Sequence, residues 1–368
     1  MEDLINRSIA LLKRHQTDDG AFPAAPNFAP YRYVWLRDGT FIAYALDLAG
    51  EKEAAGAFYA FMASTILRYS HKIEASLAAA SENRPLHDDI CLHTRYTLEG
   101  TEGQEPWGNF QLDGYGTFLW GLSAYLARGG RMEEAYREAI WQVTRYLCGL
   151  WQVPCLDCWE EHGECLHPST LAAIYGGLQA VLPWLTPPLE EKALATLKAI
   201  PEKISQEYVV DGHFVKFAGY PEVDANLLWL ALPFKVYPVE DPRVRGTVEK
   251  IEQDLRGGGV KRYRADTYYG GGEWPLLACW LAWYYLLLGR RGEAGDLLEW
   301  VEAQADEEGH LPEQVPHNLT SVEYYHYWVQ RWGPVARPLL WSHAMYIIAR
   351  LSTDNCLSYP QFLLERPA

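Results

Sequence analysis

The stretch "GTFLWGLSAYLARG", residues 116–129, sets apolar side chains at three- and four-residue spacing and ends on a glycine. That is the period of an α-helix, not the alternation of a strand. "TLAAIYGGLQAVLPWL", residues 170–185, repeats the pattern, and segments of this kind dominate the chain. The expected fold class is therefore all-α. Between these segments lie tight connections at residues 49–56, 127–135, 185–193, 234–244 and 287–295, where Gly or Pro stops one helix and acidic residues start the next. Longer, aromatic and polar connections fall around Trp35, Trp107, Glu160, Phe217, Asp266 and Glu313. Alternation of short turns with long loops means antiparallel helices whose long loops all emerge at one end, and about twelve helices paired as six hairpins close naturally into an (α/α)6 barrel with its site at one mouth. With no low-complexity linker in the series, residues 1–368 are expected to form a single catalytic domain.

The chain is long enough to bury a large core, and 49% of it is hydrophobic. A net charge of −16 leaves no basic footprint, so neither nucleic acid nor an anionic membrane is an expected partner. The 15 tryptophans and 24 tyrosines instead suit a ligand whose rings pack on flat faces with polar edges. The longest apolar stretch, "WPLLACWLAWYYLLLG" at 274–289, is too short to span a bilayer comfortably and is expected as a buried helix. The opening residues lack the apolar core of a secretory signal, which points to the cytoplasm. Seven cysteines without scaffold spacing are expected as reduced thiols.

Each long loop offers chemistry. In "YRYVWLRDGTF" (31–41), Arg37 and Asp38 can bind several hydroxyls of one sugar while Tyr31 and Trp35 pack its faces; Asp38 could equally cap a helix. In "PWGNFQLDGYG" (106–116), Trp107 stands near Gln111 and Asp113, and Asp113 reads better as a helix cap. "CLDCWEEHGEC" (155–165) contains a CxxC pair but neither a second pair nor finger-spaced histidines, so no metal is expected. A redox CxxC would need a βαβ context. What remains is Glu160 and Glu161 beside Trp159, where an indole wall can keep one carboxyl protonated as a general acid, although adjacent glutamates also occur on solvated helix faces. The glycine-rich "GGGVKRYRADTYYGGGEW" (257–274) lacks the order of a phosphate-binding loop and brings Arg262, Asp266, Tyr268 and Trp274 to the mouth. Glu313 in "GHLPEQVPHN" supplies a second carboxylate at the same end. Two carboxylates across an aromatic pocket are what glycoside hydrolysis needs.

Taken in order, "GAFPAAPNFAPYRYVWLRDGTF", "WGNFQLDGYG", "DCWEEHG", "VDANLLWLALP", "RYRADTYYGGGEW", "LPEQV" and "PLLWSHAMYI" resemble glycoside hydrolase family 15, the glucoamylases, glucodextranases and related trehalases. The resemblance spans almost the whole chain and implies the barrel inferred above. It implies Glu160 as general acid and Glu313 as general base, with Arg37 and Asp38 gripping the terminal glucose among Trp35, Trp341 and Tyr31. Trp107 is implied to support the acid and the neighbouring sugar, and Asp157, Glu161 and Arg262 to line the acid's side. Relatives with an added β-sandwich or starch-binding module are longer, and neither module is expected here. The expected activity is an inverting, exo-acting α-glucosidase on short malto- or isomalto-oligosaccharides, needing no metal or organic cofactor. The alternatives are a trehalase of the same family and a non-catalytic glucan-binding module.

Overall fold

A computed structural model describes residues 2–354. Among them run thirteen α-helices: α1 Glu2–His15, α2 Leu36–Leu48, α3 Lys52–Arg68, α4 Ser70–Ser81, α5 Asp113–Ala127, α6 Glu134–Leu150, α7 Pro168–Val181, α8 Leu189–Glu207, α9 Pro242–Leu255, α10 Pro275–Leu287, α11 Arg291–Glu302, α12 Val322–Trp332 and α13 Leu340–Asp354. Two short antiparallel pairs add β1 Val34–Trp35 with β2 Arg95–Tyr96, and β3 Val209–Val210 with β4 His213–Phe214.

The packing partners draw a closed ring. α2 packs on α5, α5 on α7, α7 on a 3-10 helix at Ala225–Leu230, that helix on α10, α10 on α13, and α13 back on α2. These are the inner elements of an (α/α)6 barrel. From Leu36 to Asp47 in α2, from Asp113 to Ala124 in α5 and from Pro275 to Tyr285 in α10, every residue is buried, as expected of mostly apolar helices packed on all sides. The outer helices carry one apolar stripe: α6 buries Tyr136, Ala139, Ile140, Val143, Thr144, Leu147 and Leu150 and leaves its other face to solvent. α1 packs from outside on the inner α13, which places the first helix in the outer layer.

Glycine sets the tightest inner contact. A Cβ on Gly116 would stand 2.4 Å from the carbonyl oxygen of Ala173, and one on Gly177 would stand 2.4 Å from that of Gly116, so α5 and α7 approach backbone to backbone.

All the expected short turns fall between helices. Three features depart from twelve paired helices. The fourth inner position is the 3-10 helix, opened by Asp224 accepting from Asn226 N–H at 2.8 Å and followed by Pro233. α4 continues α3 after a break at Tyr69, and α12 crosses the mouth. The apolar stretch at 274–289 is α10, buried as expected, and among the described residues no helix is long and apolar enough to cross a membrane. Six of the cysteines are free thiols, and Cys356 lies outside the described residues.

Candidate active site

A cavity of about 400 Å³ opens where the long loops meet the N-terminal ends of the inner helices. Its lining brings together Tyr31, Trp35, Arg37, Asp38, Trp107, Glu160, Glu161, Arg262, Tyr268, Trp274, Glu313 and Trp341. Of the sequence-derived candidates Asp157 and Asp266 are missing. Asp157 lies fully buried behind the wall, ion-paired to Lys216 at 2.9 Å, and Asp266 is buried against Arg262.

Glu160 is held by aromatic donors. Trp35 donates its indole N–H to Oε1, and Trp107 donates to Oε2. The ladder of β1 with β2 places Trp35 opposite Arg95, whose guanidinium packs over the rings of Tyr33 at 4.0 Å and Trp107 at 4.1 Å. The backbone of Glu160 is left-handed (φ 65°), a conformation that costs a non-glycine residue about 1–3 kcal/mol unless its surroundings enforce it. Here they do. Asp157 Oδ1 accepts from Trp159 N–H at 2.9 Å and Glu161 N–H at 3.0 Å, and the Asp157 carbonyl accepts from Glu160 N–H at 2.9 Å. The result turns Glu160 into the cavity. Glu161 points elsewhere, taking a hydrogen bond from Tyr263 Oη at 2.6 Å and an ion pair from Arg262 at 3.2 Å. Arg262 also holds Asp266, whose Oδ1 caps Tyr268 N–H at 2.8 Å.

Burial raises the Glu160 carboxyl to about 7, against the lowering effect of the Arg37 charge and the indole donors. Glu313, buried on the opposite loop, is raised further by burial, to about 8, with the Tyr31 hydroxyl and the Arg262 charge acting in the lowering direction. Its backbone N–H donates to Ala336 O at 2.9 Å, and no protein group donates to its Oε2. Tyr31 and Tyr268 share a hydrogen bond of 2.6 Å beside it.

At the floor, Arg37 sits in the first turn of α2. Burial works against its charge, but Asp113 at 2.9 Å and Asp38 at 3.4 Å outweigh it, and its pKa is raised. Asp113 is thus a buried counter-ion to Arg37 and not the helix cap its sequence context suggests; its side chain accepts no capping bond among the α5 amides. Asp38 also makes no cap. Burial lifts it to about 6, and its Oδ2 accepts no hydrogen bond from protein.

Sequence reasoning missed Trp328 and Trp332 of α12, which roof the mouth: Trp332 stacks on Trp107 with centroids 6.2 Å apart and planes 21° apart. It also missed Lys216. The density of five aromatic residues in the eleven of α12 was the available signal for the first; nothing near Lys216 marked it. Cys158 lines the cavity floor and accepts from Asn226 Nδ2 at 3.3 Å, whereas Cys155 is packed away with its thiol pushed up to about 12 by burial. Glu273 is fully buried and anchors Gly258 N–H at 3.0 Å and Asn318 at 2.9 Å outside the cavity lining.

A six-hairpin helical barrel whose mouth loops present two buried carboxyl groups to an aromatic cavity defines an enzyme of the glucoamylase-like architecture. Residues 2–294 match the family model for glycosyl hydrolases family 15, and the chain belongs to that family. It is a glycoside hydrolase. An isomaltose glucohydrolase from Kribbella flavida is 41% identical over 358 residues, which are 95% of this chain and 92% of the relative. Trehalase 1 of Sulfolobus acidocaldarius is 28% identical over 74% of this chain, which spans about half (49%) of that relative. Among solved structures, a glycosidase superposes with a TM-score of 0.91 at 41% identity, each chain covered to 96%, and a glutamate variant of a glycosidase in complex with glucose superposes equally well. A bacterial glucoamylase bound to acarbose shares the fold, with a TM-score of 0.72 at 19% identity over 95% of this chain and 55% of its own.

Proposed function

We propose that the protein is an inverting, exo-acting α-glucosidase that releases β-glucose from the non-reducing end of short α-glucosides, with isomaltose as the preferred substrate. The observation that carries the reading is the pair Glu160 and Glu313, two buried carboxyls with raised pKa values facing one cavity. Likeness to an isomaltose glucohydrolase over nearly the whole of both chains supports the linkage. The cavity is at the small end of the usual range for small-molecule sites, and the α12 tryptophans cover its mouth, which suits a disaccharide better than a polymer.

In this mechanism a terminal glucose seats against Trp341 and Trp35, with its hydroxyls on Arg37 and Asp38. Glu160, in its acid form, delivers its proton to the glycosidic oxygen as that bond to the anomeric carbon breaks. Glu313, in its carboxylate form, draws a proton from the water that attacks the same carbon from the other face. The new C–O bond is therefore β. Both proton transfers use protein carboxyls alone. Glucose release from isomaltose, maltose, dextran and trehalose tests the reading: isomaltose should turn over fastest, whereas trehalose alone would make the protein a trehalase, and no release from any would leave a sugar-binding module.

A further inference from the structure

We infer that Lys216 is a positioning residue for the catalytic acid: its buried ammonium clamps the two carboxylates that fix the loop presenting Glu160. The inference rests on the reading of Glu160 as the acid.

The lysine side chain is 1% exposed and takes no part in the cavity lining. Its Nζ stands 2.9 Å from Asp157 Oδ2 and 2.5 Å from Asp224 Oδ2, both carboxylates being fully buried. A single ammonium thus serves two carboxylates from two different loops. Every residue next to Glu160 is tied to this cluster. Asp157 accepts the backbone N–H groups of Trp159 and Glu161, on either side of the acid. Asp224 accepts the Trp159 indole N–H with both oxygens, at 3.1 and 3.0 Å. It also orders Asn226, whose side chain donates to the Cys158 thiol at 3.3 Å. Tyr263, whose ring lies 4.0 Å from Nζ, donates to Glu161 at 2.6 Å.

Only the side chain of Glu160 is free of the cluster, and it reaches the cavity from a left-handed backbone that these neighbours enforce. Without the ammonium, two carboxylates face each other in a low-dielectric interior; one of them must take up a proton or the loops must part. Either change loosens the backbone at Glu160. Arg37 and Asp38, in the first turn of α2, make no direct contact with Lys216; Arg37 is joined to the Asp157 carbonyl through Gln111.

A misaimed acid should slow substrates that need protonation of the leaving group and spare those that do not. The wild-type protein, Lys216→Met and Asp157→Asn are to be assayed well below their unfolding temperatures on α-glucosyl fluoride and on whichever of isomaltose, maltose or trehalose the wild type hydrolyses fastest. Asp157→Asn keeps an oxygen for the backbone caps while removing the charge, and it decides the question if Lys216→Met does not fold. The disaccharide kcat should fall about tenfold to a hundredfold with KM changed less than about threefold, while the fluoride rate stays within about threefold of wild type. An unchanged ratio of fluoride to disaccharide rates in the folded variants overturns the inference. Glu160→Gln separates the two claims: if it loses both substrates equally, the assignment of the acid fails, whereas a selective loss there with none in the Lys216 and Asp157 variants removes only the role of Lys216.

Discussion

Trp107 donates its indole N–H to Oε2 of Glu160 while its ring stacks with Trp332 of α12, so one residue both restrains the acid and forms the wall beside the leaving group. The hydrogen bond favours the charged form of Glu160 and lowers its pKa. Trp107→Phe, which keeps a ring and removes the donor, should therefore raise that pKa and move one limb of the kcat/KM profile to higher pH. A profile that keeps both limbs, or shifts to lower pH, would count against the contact.

The wild-type profile follows from the same groups. Activity needs one proton on the pair, so kcat/KM should be a narrow bell whose limbs lie near the values of about 7 and about 8 that burial imposes on Glu160 and Glu313. Rates fall at lower pH as the pair takes up its second proton, and at higher pH as it loses its last. A plateau extending down to the ordinary carboxylate range would contradict the raised base.

Glu160 and Glu161 are chemically identical neighbours in opposite settings, one turned into the cavity and the other held by Arg262 and Tyr263. Glu160→Gln should lower turnover of an unactivated disaccharide by at least about a hundredfold. Glu161→Gln should cost less, through its contacts. Steady-state rates of the two variants decide it, and the reverse order would exchange the assignments.

The cysteines of 155–165 are assigned no metal. Activity should survive incubation with excess chelator, since acid catalysis by Glu160 needs only the apolar wall and its donors. Stoichiometric zinc in the purified protein, with inactivation on its removal, would reverse this.

Stability offers an independent check on the barrel. Gly116→Ala gains helix propensity but drives a methyl group against the Ala173 carbonyl, and overpacking against backbone should win by about 1–3 kcal/mol in urea unfolding. A neutral or stabilising result would mean that α5 and α7 do not meet so closely.

The helical ring and its turns were legible because apolar spacing and Gly/Pro punctuation are local signals. So were most of the cavity residues, because they sit in polar, aromatic loops or in the helix turn such a loop leads into, as Arg37 and Asp38 do; Trp341, inside α13, came only with the family resemblance. α12 was passed over although Tyr325, Trp328, Val329 and Trp332 fall at helical spacing, because that stripe is only half-buried over the mouth and its aromatic side chains read equally well as part of a long loop. The fourth inner element was misjudged for a different reason: "ANLLWL" is apolar but for Asn226, and only tertiary packing turns it into a 3-10 helix. Asp113 resembled a cap until Arg37 was found beside it. Lys216 and Asp224 were invisible because a buried ion cluster joins residues whose partners are 59 and 8 positions apart, with no local pattern to mark them.

The stereochemistry of the released sugar tests the central claim most directly. With Glu160 as acid and Glu313 activating water on the opposite face, proton NMR during early turnover of an α-linked disaccharide should show β-glucose appearing first, with the α anomer following by mutarotation. If α-glucose appears first, the configuration is retained, and the assignment of Glu313 as the base that activates water fails.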